Sequence, residues 1–170
     1  MAKKYGVTVI SNDIIYKLIE DATVWIEEKE KKVNRLKLEN LQMPFKIKIL
    51  PNCIFRASGP AIVGVEVIGG VLKPGAALVT EYGKKVGRVK SIKDKDESLK
   101  ELKFGKSAAV SIDDLIVGRH AQEDSFLYAF MGEGNFRELK RNAELLSKDE
   151  KNSLREIAEI MRKENSLWGM

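Results

Sequence analysis

Residues 61–75 read Ala61-Ile62-Val63-Gly64-Val65-Glu66-Val67-Ile68-Gly69-Gly70-Val71-Leu72-Lys73-Pro74-Gly75. Val63, Val65 and Val67 alternate with Gly64 and Glu66, so large apolar side chains recur with a period of two, the pattern of a half-buried β-strand. Lys73-Pro74-Gly75 then suits a type II turn, with proline at its second position and glycine at its third. The apolar run is too short for a membrane span of roughly 18–20 residues, and Glu66 interrupts it. A strand that ends in a tight turn is the repeating unit of an antiparallel sheet.

The same texture extends on both sides. Nine of the 13 glycines lie between Gly59 and Gly118, where they separate short β-rich runs. Those runs are 46–50, 62–68, 76–80, 87–92, 107–112 and 126–130, with Tyr82-Gly83-Lys84-Lys85 as a second turn. Short strands at this spacing predict a small antiparallel β-barrel over residues 43–132. Upstream, residues 5–10 read as one strand without a nearby partner, so 1–11 looks like the remnant of a preceding domain. Ser11-Asn12-Asp13 then supplies N-cap residue types. Ile15, Ile19, Ala22, Ile26, Val33 and Leu36 draw a stripe along a long helix within 12–42, and Pro44 stops it. Charge dominates the second half of that helix, which gives it the look of a strut.

The tail, 133–170, reads as a helical hairpin. Asn135 and Glu138 suit the N-cap and N3 positions of a short helix. Ser147-Lys148-Asp149-Glu150 is a capping box opening a longer one, and Trp168-Gly169 is a plausible stop. The fold class is therefore α+β: a long connecting helix, a small β-barrel and a C-terminal αα-hairpin.

The composition narrows the chemistry. One cysteine, Cys53, and one histidine, His120, exclude an internal disulfide and a zinc site of Cys and His ligands. Gly105-Lys106-Ser107 fails as a phosphate loop, because Lys100 stands where the first glycine is required. Cys53 lies among apolar neighbours and neither it nor His120 has an oxyanion motif beside it, so no nucleophile–base pair is expected. Asp113-Asp114 suits a strand-ending turn. No catalytic residue, cofactor or metal site is expected in this chain. The basic Met1-Ala2-Lys3-Lys4 start has only Val7 to Ile10 behind it, too short for a secretory signal.

The net charge of +5 is unevenly placed. Residues 44–120 hold 14 basic and 8 acidic side chains, a balance of +6, whereas 1–43 carry +1 and 121–170 carry −2. A basic barrel is a footprint for a polyanion, and it is equally compatible with a solvated lysine-rich surface. Lys84, Lys85, Arg88, Lys90, Lys93 and Lys95 fall within 12 positions. On a regular strand Arg88 and Lys90 project from the same face.

The wording of particular segments adds a resemblance. Pro44 to Pro51 with Ile54-Phe55-Arg56, Ala61 to Val67 with Gly70, Lys73 and Gly75, and Val86-Gly87-Arg88-Val89 with Ser91-Ile92 form a set. Gly105 and Val117-Gly118-Arg119-His120 complete it. This set resembles the last domain of the translation initiation factor 5B family, the archaeal and eukaryotic counterpart of bacterial initiation factor 2. Tyr5-Gly6-Val7 and Asp13-Ile14-Ile15-Tyr16 with Leu18 to Asp21 look like the end of the family's third domain and its connecting helix. Asn135 to Leu139 and Trp168-Gly169 look archaeal.

That resemblance implies a piece of a cytoplasmic GTPase factor, with GTP and magnesium belonging to a domain outside this chain. It implies a barrel that engages the aminoacylated acceptor end of initiator Met-tRNA. The family also promotes ribosomal subunit joining, and its tail helices dock the acidic, apolar-anchored tail of initiation factor 1A. The expected tRNA-facing residues are Arg56, Arg88, Lys90, Lys93 and Arg119, with Ala108 and Ala109 leaving room for methionine. The expected partner groove has Phe136, Leu139, Leu154, Ile157 and Met161 as apolar lining and Arg137, Lys140, Arg141, Lys151 and Arg155 as rim. Two other classes remain: a general RNA-binding barrel of a ribosome-associated protein, and a pure protein-interaction module.

Overall fold

In β2 (Ala61–Leu72), Val63, Val65, Val67 and Leu72 are fully buried while Ile62, Glu66 and Ile68 stay partly exposed, as the alternation requires. β2 belongs to a computed structural model that describes residues 8–38 and 40–170. The chain divides into two units, 1–40 and 41–170.

The first unit carries α1 (Ile15–Leu38). Just before it Asn12 makes an Asx turn, its Oδ1 accepting from the Ile14 N–H at 3.2 Å. Ile15, Ile19, Ile26, Val33 and Leu36 of the apolar stripe are exposed. Half of the strand expected over 5–10 lies outside the described residues, and residues 8–10, which are described, have no regular structure. Among the described residues no helix is long and apolar enough to cross a membrane.

The second unit is built on eight strands: β1 (Phe45–Arg56), β2, β3 (Ala77–Thr80), β4 (Lys85–Asp94), β5 (Glu97–Leu99), β6 (Leu102–Lys103), β7 (Ser107–Asp113) and β8 (Phe126–Ala129). Their order is β1-β8-β3-β4-β7-β2, and β2 pairs back onto β1, so six antiparallel strands close into a ring. β5 and β6 were not expected. They are appended to β4 and β2 and are too short to carry any periodicity. Inside the ring lie Phe45, Ile47, Ile49, Val63, Val65, Leu78, Ile92, Val110, Ile112 and Leu127, all fully buried. Closure leaves these strands without a free edge. Both expected turns are present: Gly75 has φ +85° after Lys73-Pro74, and Thr80 and Lys84 close the second through the Lys84 carbonyl at 2.9 Å.

Two irregularities shape the outer surface. In β1, Ile49 pairs with Val65 and Ile54 with Val63, so four residues bulge between them, and Asn52 takes φ +57°. In β4 the buried residues are Val86, Val89 and Ile92, a spacing of three rather than two. Gly87 (φ +102°) and a register shift between Val89 and Ser91 account for it. A Cβ on Gly87 would stand 1.8 Å from the Asp113 carbonyl oxygen, so only glycine fits there.

The tail forms α2 (Glu133–Arg141), a short 3-10 turn (Ala143–Leu145) and α3 (Lys148–Glu164). The Ser147 capping box is present in full: Glu150 N–H donates to Ser147 Oγ, and Ser147 N–H donates to Glu150 Oε2 at 2.8 Å. Asn135, however, is not a cap. α2 starts after Gly132, and the Asn135 amide instead pairs with the Gln42 backbone, accepting from its N–H at 3.1 Å and donating to its carbonyl at 2.8 Å. Trp168-Gly169 does not stop α3 either. The helix ends at Glu164, and Trp168 folds back, buried, with its ring centroid 4.7 Å from that of Phe136.

α3 is fixed to the ring at two points. Glu156 Oε2 accepts from Lys46 Nζ at 2.8 Å and from the Tyr128 hydroxyl at 2.9 Å, while Lys46 also covers the Phe126 ring. Burial, reinforced by the Glu156 carboxylate, pushes the Tyr128 hydroxyl above its ordinary range. At the other end Asp149 accepts from the Gly70 N–H at 2.8 Å and from the Ser147 hydroxyl. Burial by itself would raise the Asp149 pKa, but these hydrogen bonds outweigh it and hold the carboxyl below its ordinary 3.8. The folded state thus binds the proton more weakly than the unfolded chain. The contribution is whole above about pH 4 and is lost as pH falls through the folded-state pKa. Thermal unfolding of Asp149→Asn should therefore show a deficit at pH 7 that shrinks as pH falls below about 4. A deficit independent of pH would contradict this assignment.

Candidate nucleic-acid interface and tail groove

Strand register brings several expected residues together. Lys93 on β4 lies directly across from Ala109 on β7, and Ala109 lies across from Gly64 on β2. Val63, Val65, Ala108 and Val110 point inward, so Gly64 and Ala109 face out. Gly64 has no room for a side chain, since a Cβ there would come within 2.6 Å of Cys53 Cβ on the β1 bulge. The outcome is a low floor of small residues with Lys93 on one side and Cys53 on the other. In the next row Arg56 pairs with Ile62, Ile62 with Ser111, and Ser111 with Ser91.

Ala108 does not belong to this floor. It is 9% exposed and packs in the core opposite Val65, because adjacent strand residues face opposite ways. Arg88, Lys90 and Lys93 are all exposed, although a regular strand would have turned Lys93 away from the other two. The β4 bulges re-aim it. Asp113 tempers one end of the row: it stands opposite Arg88 in the ladder, and its carboxylate is 3.8 Å from Lys90 Nζ. Arg56, Arg88, Lys93 and Arg119 have no salt bridge among the described residues. Arg88 and Lys93 are five residues apart, about 16 Å along a strand, a span of a few phosphates. Arg119 lies apart from this face, in the loop after β7, where it borders a separate hollow with Tyr82 and His120.

Cys53 and His120 are not partners. Cys53 sits against Gly64, and His120 Nδ1 accepts from the Ile116 N–H at 3.2 Å within its own loop. Asp114, at φ +61°, turns the chain after β7 as its composition suggested.

The tail contains a groove of about 380 Å³. Phe136, Leu154 and Ala158, each buried, form its floor, and Lys140, Lys151 and Arg155 stand exposed around it. Among the expected lining, Leu139 and Ile157 are fully buried in the core and Met161 packs against it, so none of the three lines the groove. Arg137 is paired with Glu133 at 3.0 Å and Arg141 with Glu138 at 3.7 Å, both outside it. Arg162, which also borders the groove and donates to the Trp168 carbonyl, was not expected there. Its signal was present: 151, 155, 158 and 162 follow helical spacing along one face.

The groove is cationic within a tail of net charge −2. Several of its acids are committed elsewhere. Glu133 and Glu138 hold Arg137 and Arg141, Asp149 and Glu150 serve the α3 N-terminus, and Glu156 holds Lys46 and Tyr128. No carboxylate lines the groove.

The comparison with known families settles what kind of domain this is. The family described as "Elongation factor Tu domain 4" matches residues 43–128, the ring of strands. The chain belongs to that family. Over nearly its whole length it is also similar to proteins called "Probable translation initiation factor IF-2". One, from Aeropyrum pernix, is 46% identical over 95% of this chain. Another, from Methanocaldococcus jannaschii, is 42% identical over 98% of it. The crystal structure of GDP-bound aIF5B from Aeropyrum pernix superposes with a TM-score of 0.81 over 99% of the chain, at 40% identity. The chain spans 27% of the first relative, 15% of the second and 28% of the crystallised one. The resemblance to the initiation factor 5B family, and the α+β fold read from the sequence, therefore stand.

Proposed function

We propose that this chain is the part of a translation initiation factor that carries the acceptor-end recognition of initiator Met-tRNA on its ribosome-bound parent, and that its tail docks initiation factor 1A. The parent would hold GTP and magnesium in another domain and promote subunit joining. The observation that carries the reading is the register of Lys93, Ala109 and Gly64. A floor too small to obstruct a substituent lies beside unpaired Lys93, with unpaired Arg56 at the edge of the next row, an arrangement suited to an aminoacyl group joined to a phosphate backbone. Ala109 takes the role expected of both alanines. Arg56, Arg88 and Lys90 contribute phosphate contacts, and Arg119 lies outside the face.

The tail reading has its own support. An apolar floor ringed by cations, with no carboxylate among its lining residues, fits an acidic segment with apolar anchors. Phe136, Leu154, Lys140, Lys151 and Arg155 would make the contacts.

Phosphate contacts release counterions, so log affinity should fall linearly with log salt. Replacing Arg88 and Lys93 by alanine should weaken initiator tRNA binding and flatten that slope by about 1.5, the amount expected of two lost phosphate contacts. Both residues are exposed, so the melting temperature should not move. An unchanged slope would remove this face from the interface.

A further inference from the structure

The hollow that Arg119 borders lies at the end of the ring, away from the Lys93–Ala109 floor, and measures about 330 Å³. That is the low end of small-ligand sites, which run from about 300 to 1,000 Å³. Tyr82, Lys84, Arg119, His120 and Phe126 border it.

Tyr82 is 76% exposed, yet its backbone is firmly held. Its N–H donates to Thr80 Oγ1, the next N–H donates to the Thr80 carbonyl at 3.0 Å, and the Thr80 N–H donates to the Lys84 carbonyl. An exposed aromatic ring on a held backbone offers stacking area with only two side-chain torsions to order. The opposite wall is equally constrained. Gly118 N–H donates to the Ala121 carbonyl, Arg119 and His120 N–H both donate to the Ile116 carbonyl, and Val117 N–H donates to the Ala57 carbonyl.

The charges point one way. Lys84 and Arg119 have no salt bridge among the described residues, against one carboxylate, Glu81, at the hollow. His120 Nδ1 accepts a backbone N–H, so the neutral ring carries its proton on Nε2 as a free donor. Tyr82 also borders a second hollow, where Glu81, Glu156 and Glu159 outnumber Lys163. The first hollow thus carries the excess of cations and the second the excess of carboxylates.

We propose that this hollow takes one unpaired nucleotide of single-stranded RNA, its base stacked on Tyr82 and its phosphate held by Lys84 and Arg119. A base within a duplex has no free face to offer, so the site discriminates against paired RNA. This second RNA contact does not depend on the acceptor-end reading, since it uses the end of the ring and none of the outer floor.

The test is an NMR titration of the full chain with tetrauridylate, with inorganic phosphate and an RNA hairpin stem as comparison probes. Tetrauridylate should shift the Tyr82 ring and His120 Hε1 signals. Tyr82→Ala should weaken it about tenfold, and Tyr82→Phe should bind as the parent does. The hairpin stem should bind without those ring shifts. Unchanged affinity in Tyr82→Ala would overturn the proposal, as would shifts confined to the Lys93–Ala109 face. Inorganic phosphate binding as tightly as tetrauridylate would reduce the site to a simple anion site and overturn it too. Failure of any of these leaves the acceptor-end test independent.

Discussion

Deleting residues 147–170 is expected to unfold the 41–170 unit, not to release a stable ring of strands. The deleted segment supplies Leu154, Ile157, Ile160 and Trp168 to one continuous core with the strands, each at most 6% exposed. At about 1.5–3 kcal/mol for each large apolar side chain, the loss is roughly 6–12 kcal/mol. That rivals the whole stability of an ordinary domain, about 5–15 kcal/mol. The cut also removes Glu156 from Lys46 and Tyr128, leaving a partly buried ammonium without its carboxylate. Circular dichroism and amide NMR should show lost cooperativity and collapsed dispersion. A truncated chain that melts cooperatively with dispersed signals would show that the strands hold alone.

The tail's binding role must therefore be tested by substitutions that leave the core alone. Lys151→Glu together with Arg155→Glu is expected to lower affinity for an acidic peptide with apolar anchors, such as the initiation factor 1A tail, by at least about tenfold. Two of the cations around the groove become repulsive, and the effect should be largest at low salt, where screening is weakest. Both side chains are exposed, so stability should stay within about 0.5 kcal/mol of the parent. Calorimetric titration with the peptide checks the first expectation and thermal unfolding the second. Equal affinity in the doubly reversed variant would place the partner elsewhere.

How much could be read from sequence depended on whether a residue obeys its neighbours or a distant contact. The alternation in β2 and the Ser147–Glu150 box are local rules, and both appear in the structure as written. The six principal strands follow from the same logic. β4 does not, because Gly87 and the Val89–Ser91 shift stretch its period from two to three, which is how Lys93 joins Arg88 and Lys90 on the surface. Asn135 and Trp168 carry cap-like sequence signals, but tertiary contacts with Gln42 and Phe136 claim them instead. Ala108 and Ala109 look alike in sequence, and only the pairing of β7 with β2 turns one inward and the other out. In the tail, residue types gave the chemistry of the groove. Its membership required knowing that Leu139 and Ile157 are committed to the core.

The central claim is that the Lys93–Ala109–Gly64 face senses an aminoacylated acceptor end. The most direct measurement compares binding of this chain to charged and uncharged initiator tRNA at several salt concentrations, alongside Ala109→Leu. The account predicts tighter binding of the charged form, a steep fall with salt for both forms, and loss of the preference in Ala109→Leu, where the added side chain fills the floor. Equal, salt-dependent binding of the two forms would make the ring a general RNA-binding module and contradict the claim. Binding without salt dependence, or none, would leave only a protein-interaction role.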